Sequence, residues 1–273
     1  MYKQYGKLVK PRIEFKKTYL LGMSKTGSTS LSRILKGKHE YKMEETIETV
    51  YKFLKKDLTK EEYTSFIKSR DEKINGFDSS TFNHLYLDLL LDFSSDTKFI
   101  LTIRDCHIWI KSMLNQIVFY KYVYPSRIKQ YVEIMFKQDI NPADLDENFL
   151  KHNPKFLDYM LLFWSVTNQK VLNQVPSDRL LVIKTDEINE SIRKLASFLE
   201  IPGHRLETVH LNKSGERGYY GDDILKDTMT FYGDLKYEKI DWFRNIDKEL
   251  LNQKIDFYCG NLMNQFFNVK ENI

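Results

Sequence analysis

Short apolar runs alternate along the chain with longer stretches whose apolar residues recur every three or four positions. Tyr19-Leu20-Leu21 is the first run and ends at Gly22. An apolar run stopping at glycine reads as a buried strand meeting a turn. Helical spacing follows from Thr29 to Leu35, and residues 38–72 are Lys/Glu/Thr-rich with a helical pattern. Thr59 followed by Glu61 and Glu62 marks a helix start within them. Ile74 to Phe77 reads as a second strand, Asn83 to Phe93 as a helix, and Lys98 to Ile103 (KFILTI) as the clearest buried strand. A helix is predicted from Cys106 to Phe119. Residues 120–150 are Tyr-rich and read as irregular. Asn153 then reads as the cap of a helix with Pro154 in its first turn, where a missing N–H costs nothing. That helix is apolar nearly all round from Phe156 to Leu172, which predicts burial. Arg179 to Ile183 is a third internal strand. Ile188, Ile192, Leu195, Ala196 and Leu199 form a helix stripe that stops before Pro202-Gly203.

Strands alternating with helices predict an α/β fold, a parallel sheet with helices on both faces. Ligands of such sheets sit beyond the carboxyl ends of the strands. The length of 273 residues suits a single domain, with a basic arm over residues 1–17 and a C-terminal extension over 223–273.

Composition narrows the function classes. A net charge of +4, from 42 basic against 38 acidic residues, suits an anionic ligand and does not call for nucleic acid. Two cysteines, Cys106 and Cys259, make no disulfide framework, so a reducing compartment is expected. The N-terminus lacks an apolar signal-peptide core, and no apolar run approaches the length of about 18 residues that spans a membrane. The expectation is a cytoplasmic protein.

Gly22 to Ser30 reads GMSKTGSTS and joins the first strand to a helix. Backbone N–H groups and the positive end of a helix dipole there favour a phosphate. The nucleoside-triphosphate loop, G-x-x-x-x-G-K-[ST], needs its lysine directly after the second glycine. Here Ser28 stands at that position, and Lys25 lies two residues before Gly27. A kinase needs that lysine on its β/γ-phosphates. The pattern G-x-x-K-x-G-[ST]-[ST]-S-L instead resembles the 5′-phosphosulfate loop of sulfotransferases. That resemblance implies that Lys25 reaches the oxygen bridging phosphate and sulfate, and that Thr26, Gly27, Ser28, Thr29 and Ser30 form the phosphate cradle. It also implies a P-loop-type sheet of about five strands. The donor would be 3′-phosphoadenosine 5′-phosphosulfate (PAPS) and the product adenosine 3′,5′-bisphosphate, with no metal required.

The string KFILTIRDCHIWIKSM places Arg104 at a strand end and Ser112 eight residues on, with Trp109 between. Arginine offers a rigid fork of donors to phosphate oxygens, and serine adds a hydroxyl. The string resembles the 3′-phosphate motif of the same family, with Cys106 where proline is usual. Asp105 as a magnesium ligand is a weaker reading, because Arg104 crowds the same turn with positive charge.

Sulfuryl transfer needs a base for the acceptor proton. The string GFDSST resembles the Phe-Glu-Lys-Ser segment of glycan sulfotransferases. The resemblance implies that Asp78 is the base, with Ser79 where that segment carries lysine. Asp78 also reads as the N-cap of the following helix. His84 and His39 are the other candidates, each with an ordinary structural reading beside it. Residues 210–222, HLNKSGERGYYGD, resemble the family loop that folds over the 3′-phosphate, which implies binding roles for Lys213 and Arg217; a solvated basic loop is the other reading. Phe119, Tyr120, Tyr122, Tyr124 and Tyr131 cluster where an acceptor pocket is expected, or pack as core. A glycan or a small-molecule alcohol or amine is the expected acceptor. Two rival readings remain: a P-loop kinase or hydrolase using ATP and magnesium, and a non-catalytic module binding adenosine bisphosphate.

Overall fold

A computed structural model describes residues 16–74, 76–123, 125–138, 144–206 and 240–267. Four parallel strands form one sheet among these residues: β1 (Thr18–Leu20), β2 (Phe77–Asp78), β3 (Lys98–Ile103) and β4 (Leu180–Lys184), in the order β2-β1-β3-β4. The chain leaves β1 for one side, to β2, and returns across it to β3. The carboxyl end of β1 is therefore the point where the winding reverses, the usual ligand crevice of an open parallel sheet.

Burial on both faces explains why the strands are short unbroken apolar runs. Tyr19, Phe99, Leu101 and Ile103 face one core. Leu20, Phe77, Ile100, Leu181 and Ile183 face the other. The second core is closed by α1 (Ser28–Ile34) and α9 (Ile192–Phe198), which bury Leu31, Ile34, Ile192, Leu195 and Ala196. The larger face carries α2 (Met43–Leu54), α3 (Lys60–Glu72), α4 (Leu87–Phe93), α5 (Cys106–Val123), α6 (Pro125–Phe136), α7 (Phe149–His152), α8 (Pro154–Gln174) and α10 (Lys248–Phe267). The α/β class with helices on both faces is what the alternating pattern predicted.

Local signals explain several boundaries. Thr59 caps α3 through a reciprocal pair in which its hydroxyl accepts from Glu62 N–H and Glu62 accepts from Thr59 N–H. Asp105 caps α5, its carboxylate accepting from Ile108 N–H at 3.0 Å. Cys106 fills the first position of α5 and is fully buried, as is Cys259 on α10, whose thiol donates to Leu161 O at 3.5 Å.

Some expectations need correcting. Residues 120–150 are not irregular throughout: α5 runs on to Val123, Pro125 opens α6 and α7 follows. Proline suits a first helical position, so it starts a helix here. Ile128, Tyr131, Val132 and Met135 then form a buried stripe at helical spacing. The second strand lies later than predicted, at Phe77–Asp78, where it pairs with Thr18 and Tyr19. Asn153 precedes α8 without capping it, since its side-chain amide donates to Phe149 O instead. The helix α8 buries one face only, through Phe156, Leu157, Met160, Leu161, Trp164 and Val171, and leaves Tyr159, Leu162 and Val166 exposed. Among the described residues no helix is long and apolar enough to cross a membrane.

Candidate functional site

Three strand ends meet at the winding reversal, and each carries polar chemistry. The loop after β1 is held in place from several directions. Trp109 Nε1 of α5 donates to Ser24 O at 2.9 Å, and the Tyr131 hydroxyl of α6 donates to Ser24 Oγ at 2.8 Å. Thr185, just after β4, donates its hydroxyl to Thr26 O at 2.8 Å and Ile103 O at 3.2 Å. Thr26 turns inward: its hydroxyl donates to Met23 O at 2.6 Å and lies 2.8 Å from Thr102 Oγ1, and it is fully buried. That corrects the cradle implied for it. Thr26 locks the loop from inside, and its hydroxyl faces away from any ligand.

Lys25, Gly27, Thr29 and Ser30 stay partly open at the loop surface, and Ser28 is nearly buried. Lys25 and Gly27 adopt left-handed backbone, with φ of 71° and 101°. Gly27 needs to be glycine for two reasons. A Cβ would be strained at that φ, and it would meet Ile188 Cδ1 at 2.4 Å. Gly27→Ala is therefore expected to destabilise the fold by about 1–2 kcal/mol, visible as a melting temperature lowered by several degrees. An unchanged melting temperature would show that the loop relaxes freely.

The second motif converges on the first. Arg104 Nη1, at the end of β3, donates to Lys25 O at 2.9 Å and to Ser112 Oγ at 3.3 Å. Both bonds come from one nitrogen, so among the described residues the rest of the guanidinium fork is open to an anion. Trp164 Nε1 of α8 holds Arg104 O at 3.0 Å and so fixes where the arginine starts. Burial lowers the Arg104 pKa, opposed by the charges of Asp105 and Asp186. An anion in contact would offset that desolvation. Asp105 is occupied in capping α5, which leaves the magnesium reading without its ligand.

Asp78, at the end of β2, does not fit the base role that the resemblance implied. Its side chain is fully buried, and both oxygens are engaged by Arg70 of α3, at 2.7 and 3.1 Å. Oδ1 also accepts from Ser80 N–H at 3.1 Å. The cap reading fails too, because Phe82 precedes the next helical turn, Asn83–Tyr86. Burial alone would lower the Arg70 pKa, but the Asp78 carboxylate and its hydrogen bonds outweigh it and hold the guanidinium protonated.

The loop between α1 and α2 docks along the end of β2. Lys38 N–H donates to Phe77 O at 2.9 Å, and Ser79 N–H donates to Lys38 O at 3.0 Å. Gly37 permits this approach, since a Cβ there would lie 2.6 Å from Phe77 O. The docking brings His39 between the loop after β1 and the end of β2, with Nε2 3.2 Å from Thr29 Oγ1 and Nδ1 3.0 Å from Ser79 Oγ. His39 is itself exposed, with its two ring nitrogens turned onto Thr29 and Ser79. Desolvation, aided by Arg33 and opposed by Asp78, lowers its pKa to about 4, so the ring is neutral at pH 7. Glu40 follows in left-handed backbone at φ 49°. Burial pushes its pKa up to about 7, against hydrogen bonds from Thr81. Its Oε1 accepts from Thr81 N–H at 3.2 Å.

His84 does not enter the site. It is 4% exposed and packs edge-on to Phe163 at 5.7 Å. Burial lowers its pKa to about 3. Tyr131 packs inward and serves the loop through Ser24, away from any acceptor pocket. The side chains of Phe119, Tyr120 and Tyr122, and all of Tyr124, Lys213 and Arg217, lie outside the described residues. Sequence reasoning missed Arg70, Glu40, Trp164 and Thr185. Arg70 carried one usable signal: it falls seven residues after Tyr63 and three after Ile67, on the helical stripe that forms the buried face of α3.

A family model described as "Sulfotransferase domain" matches residues 19–216. Similar solved structures include a sulfotransferase domain from the curacin biosynthetic pathway, at 12% identity and TM-score 0.37, covering 88% of this chain and 99% of that one. Another is a sulfotransferase domain from the Synechococcus PCC 7002 olefin synthase, at 14% identity and TM-score 0.36, covering 91% of this chain and 97% of that one. No curated protein matches the chain.

Proposed function

We propose, for a chain that belongs to the sulfotransferase domain family, that it moves a sulfuryl group from PAPS to a hydroxyl or amine of a glycan or small-molecule acceptor. The observation that carries this reading is Arg104, which joins the two predicted phosphate sites by bonding both Lys25 O and Ser112 Oγ. One guanidinium in contact with both motifs suits a ligand with phosphate at two ends. The residues present fit such a ligand. Arg104 and Ser112 would hold the 3′-phosphate. The open amides and hydroxyls of Gly27, Ser28, Thr29 and Ser30 would hold the 5′-phosphate. PAPS would supply the activated sulfuryl group.

Lys25 would stand beside the leaving phosphate oxygen and offset the charge that develops there, where a fixed cation is most effective. The proposal extends to the whole of residues 1–273 as one working domain. Supporting that, α10 packs on α8 and its Leu251, Ile255 and Cys259 join the larger core. The kinase reading has no comparable support, with Ser28 at the lysine position and Asp105 engaged as a cap.

Thermal stability in the presence of ligand tests the reading. Adenosine 3′,5′-bisphosphate at a hundred times its Kd is expected to stabilise the native state by about 2.7 kcal/mol. Arg104→Ala should weaken its binding about ten- to a hundredfold, as expected for losing hydrogen bonds to a charged group. A response to ATP–magnesium with none to the bisphosphate would replace this reading with the kinase one.

A further inference from the structure

We propose that His39 is the catalytic base, the residue that takes the proton of the acceptor hydroxyl through Nε2 while Ser79 orients its ring. The inference rests on the sulfotransferase reading above and adds the acceptor side of the same site.

The hydrogen-bond directions fix the tautomer. Ser79 Oγ donates its own proton to Lys38 O at 3.1 Å. At His39 the same oxygen must therefore act as acceptor, so the 3.0 Å contact with Nδ1 carries the proton on Nδ1. The other nitrogen, Nε2, then carries the lone pair and accepts from the Thr29 hydroxyl at 3.2 Å. When Thr29 turns that hydroxyl to a bound 5′-phosphate, the lone pair is released toward the acceptor. A neutral imidazole with one nitrogen tied down and the other lone pair aimed at the donor site is the arrangement that proton abstraction needs.

The surroundings suit the task. Lys38 and Glu40 flank His39 on its own loop. Arg33 of α1 disfavours the charged ring, and Asp78 of β2 favours it without touching it. Asp78 is itself held by Arg70, so its charge acts from a fixed position. Bound phosphate and sulfate would add negative charge nearby and raise the proton affinity of Nε2 as the reaction proceeds. The loop geometry is specific: Gly37 seats it against Phe77, and Glu40 holds left-handed backbone although it is not glycine. Such a conformation persists where packing enforces it, commonly at working sites.

The step balances. The acceptor oxygen forms a bond to sulfur while the bond from sulfur to the bridging oxygen breaks. The electron pair of that bond goes to the departing phosphate oxygen beside Lys25. The acceptor proton goes to His39 Nε2, giving an imidazolium that loses it to water after product leaves.

Glu40 is the rival base, since its Oε2 is buried and finds no hydrogen-bond partner among the described residues. The experiment separates the two. His39→Gln, His39→Ala and Glu40→Gln are compared for adenosine 3′,5′-bisphosphate binding and for release of bisphosphate from PAPS with water as acceptor. Nitrogen-15 NMR of labelled histidine in the wild type reads the His39 tautomer without turnover. The expected result is bisphosphate binding within about twofold of wild type in the His39 variants, turnover lower by about a hundredfold or more, partial rescue of His39→Ala by free imidazole, and a neutral Nδ1–H ring. Full turnover in both His39 variants, or a ring protonated on Nε2, overturns the assignment. Loss confined to Glu40→Gln would transfer the role to Glu40. Absence of bisphosphate binding in the wild type would instead overturn the sulfotransferase reading beneath it.

Discussion

Arg70→Ala is expected to cost about 3–5 kcal/mol of folding stability, the range for removing one partner of a buried ion pair. Arg70 and Asp78 have side chains only 1% and 0% exposed, so neither charge has water to fall back on. The guanidinium makes two parallel bonds to the carboxylate and a third to Tyr41 O at 3.2 Å. Removing it leaves Asp78 charged or forces it to take a proton, and both are costly in a closed site. The pair spans α3 and β2 and sits under the loop that carries His39, so the damage should reach function as well as stability. Urea unfolding of Arg70→Ala and of the double variant Arg70→Met/Asp78→Leu checks this. The single variant should show a sharply lowered midpoint. The double variant should recover much of it, because two apolar groups leave no orphaned charge. A midpoint within experimental error of wild type for Arg70→Ala would mean that water enters and the pair is not closed.

Lys25→Ala should lower sulfuryl transfer about a hundred- to a thousandfold, the usual effect of deleting one group that stabilises developing charge. Stability should barely change. Lys25 is partly exposed, and its link to Arg104 runs through the backbone carbonyl, which alanine keeps. Both residues also face the same strain at φ 71°. The check is bisphosphate release from PAPS alongside the melting temperature of the same preparation. Full transfer with an intact fold would remove Lys25 from the mechanism. A matching fall in melting temperature would mark it as a structural residue of the loop.

The sheet, the glycine loop after β1 and the pairing of Arg104 with Ser112 were legible because each is a local signal. A buried strand such as KFILTI is a run of apolar residues on a backbone covered from both sides, and the turn after it needs residues of a known kind. The displaced lysine of the loop and the eight-residue spacing of Arg104 and Ser112 are equally local, since strand end and first helical turns are neighbours in both sequence and space. The Thr59–Glu62 cap and the stripe from Ile188 to Leu199 belong to the same class. The misreading of residues 120–150 came from giving composition more weight than period: tyrosines suggested a loop, while Ile128, Tyr131, Val132 and Met135 kept the spacing of a buried helix face.

The proton chemistry was not legible, for a reason of distance. Asp78 looked available because nothing in GFDSST names its partner. Arg70 stands eight residues earlier on a different element, and only the packing of α3 against the sheet turns the two into a closed pair. His39 looked like an ordinary loop histidine because its value depends on Ser79, forty residues away, and on Thr29, ten away. Which nitrogen carries the proton depends in turn on where the Ser79 hydroxyl points. Periodicity encodes which side chains are buried, and short motifs encode which backbone can hold an anion. Which carboxylate is already neutralised and which imidazole nitrogen keeps its lone pair follow from contacts a few ångströms long between distant segments, and those exist only once the chain has folded.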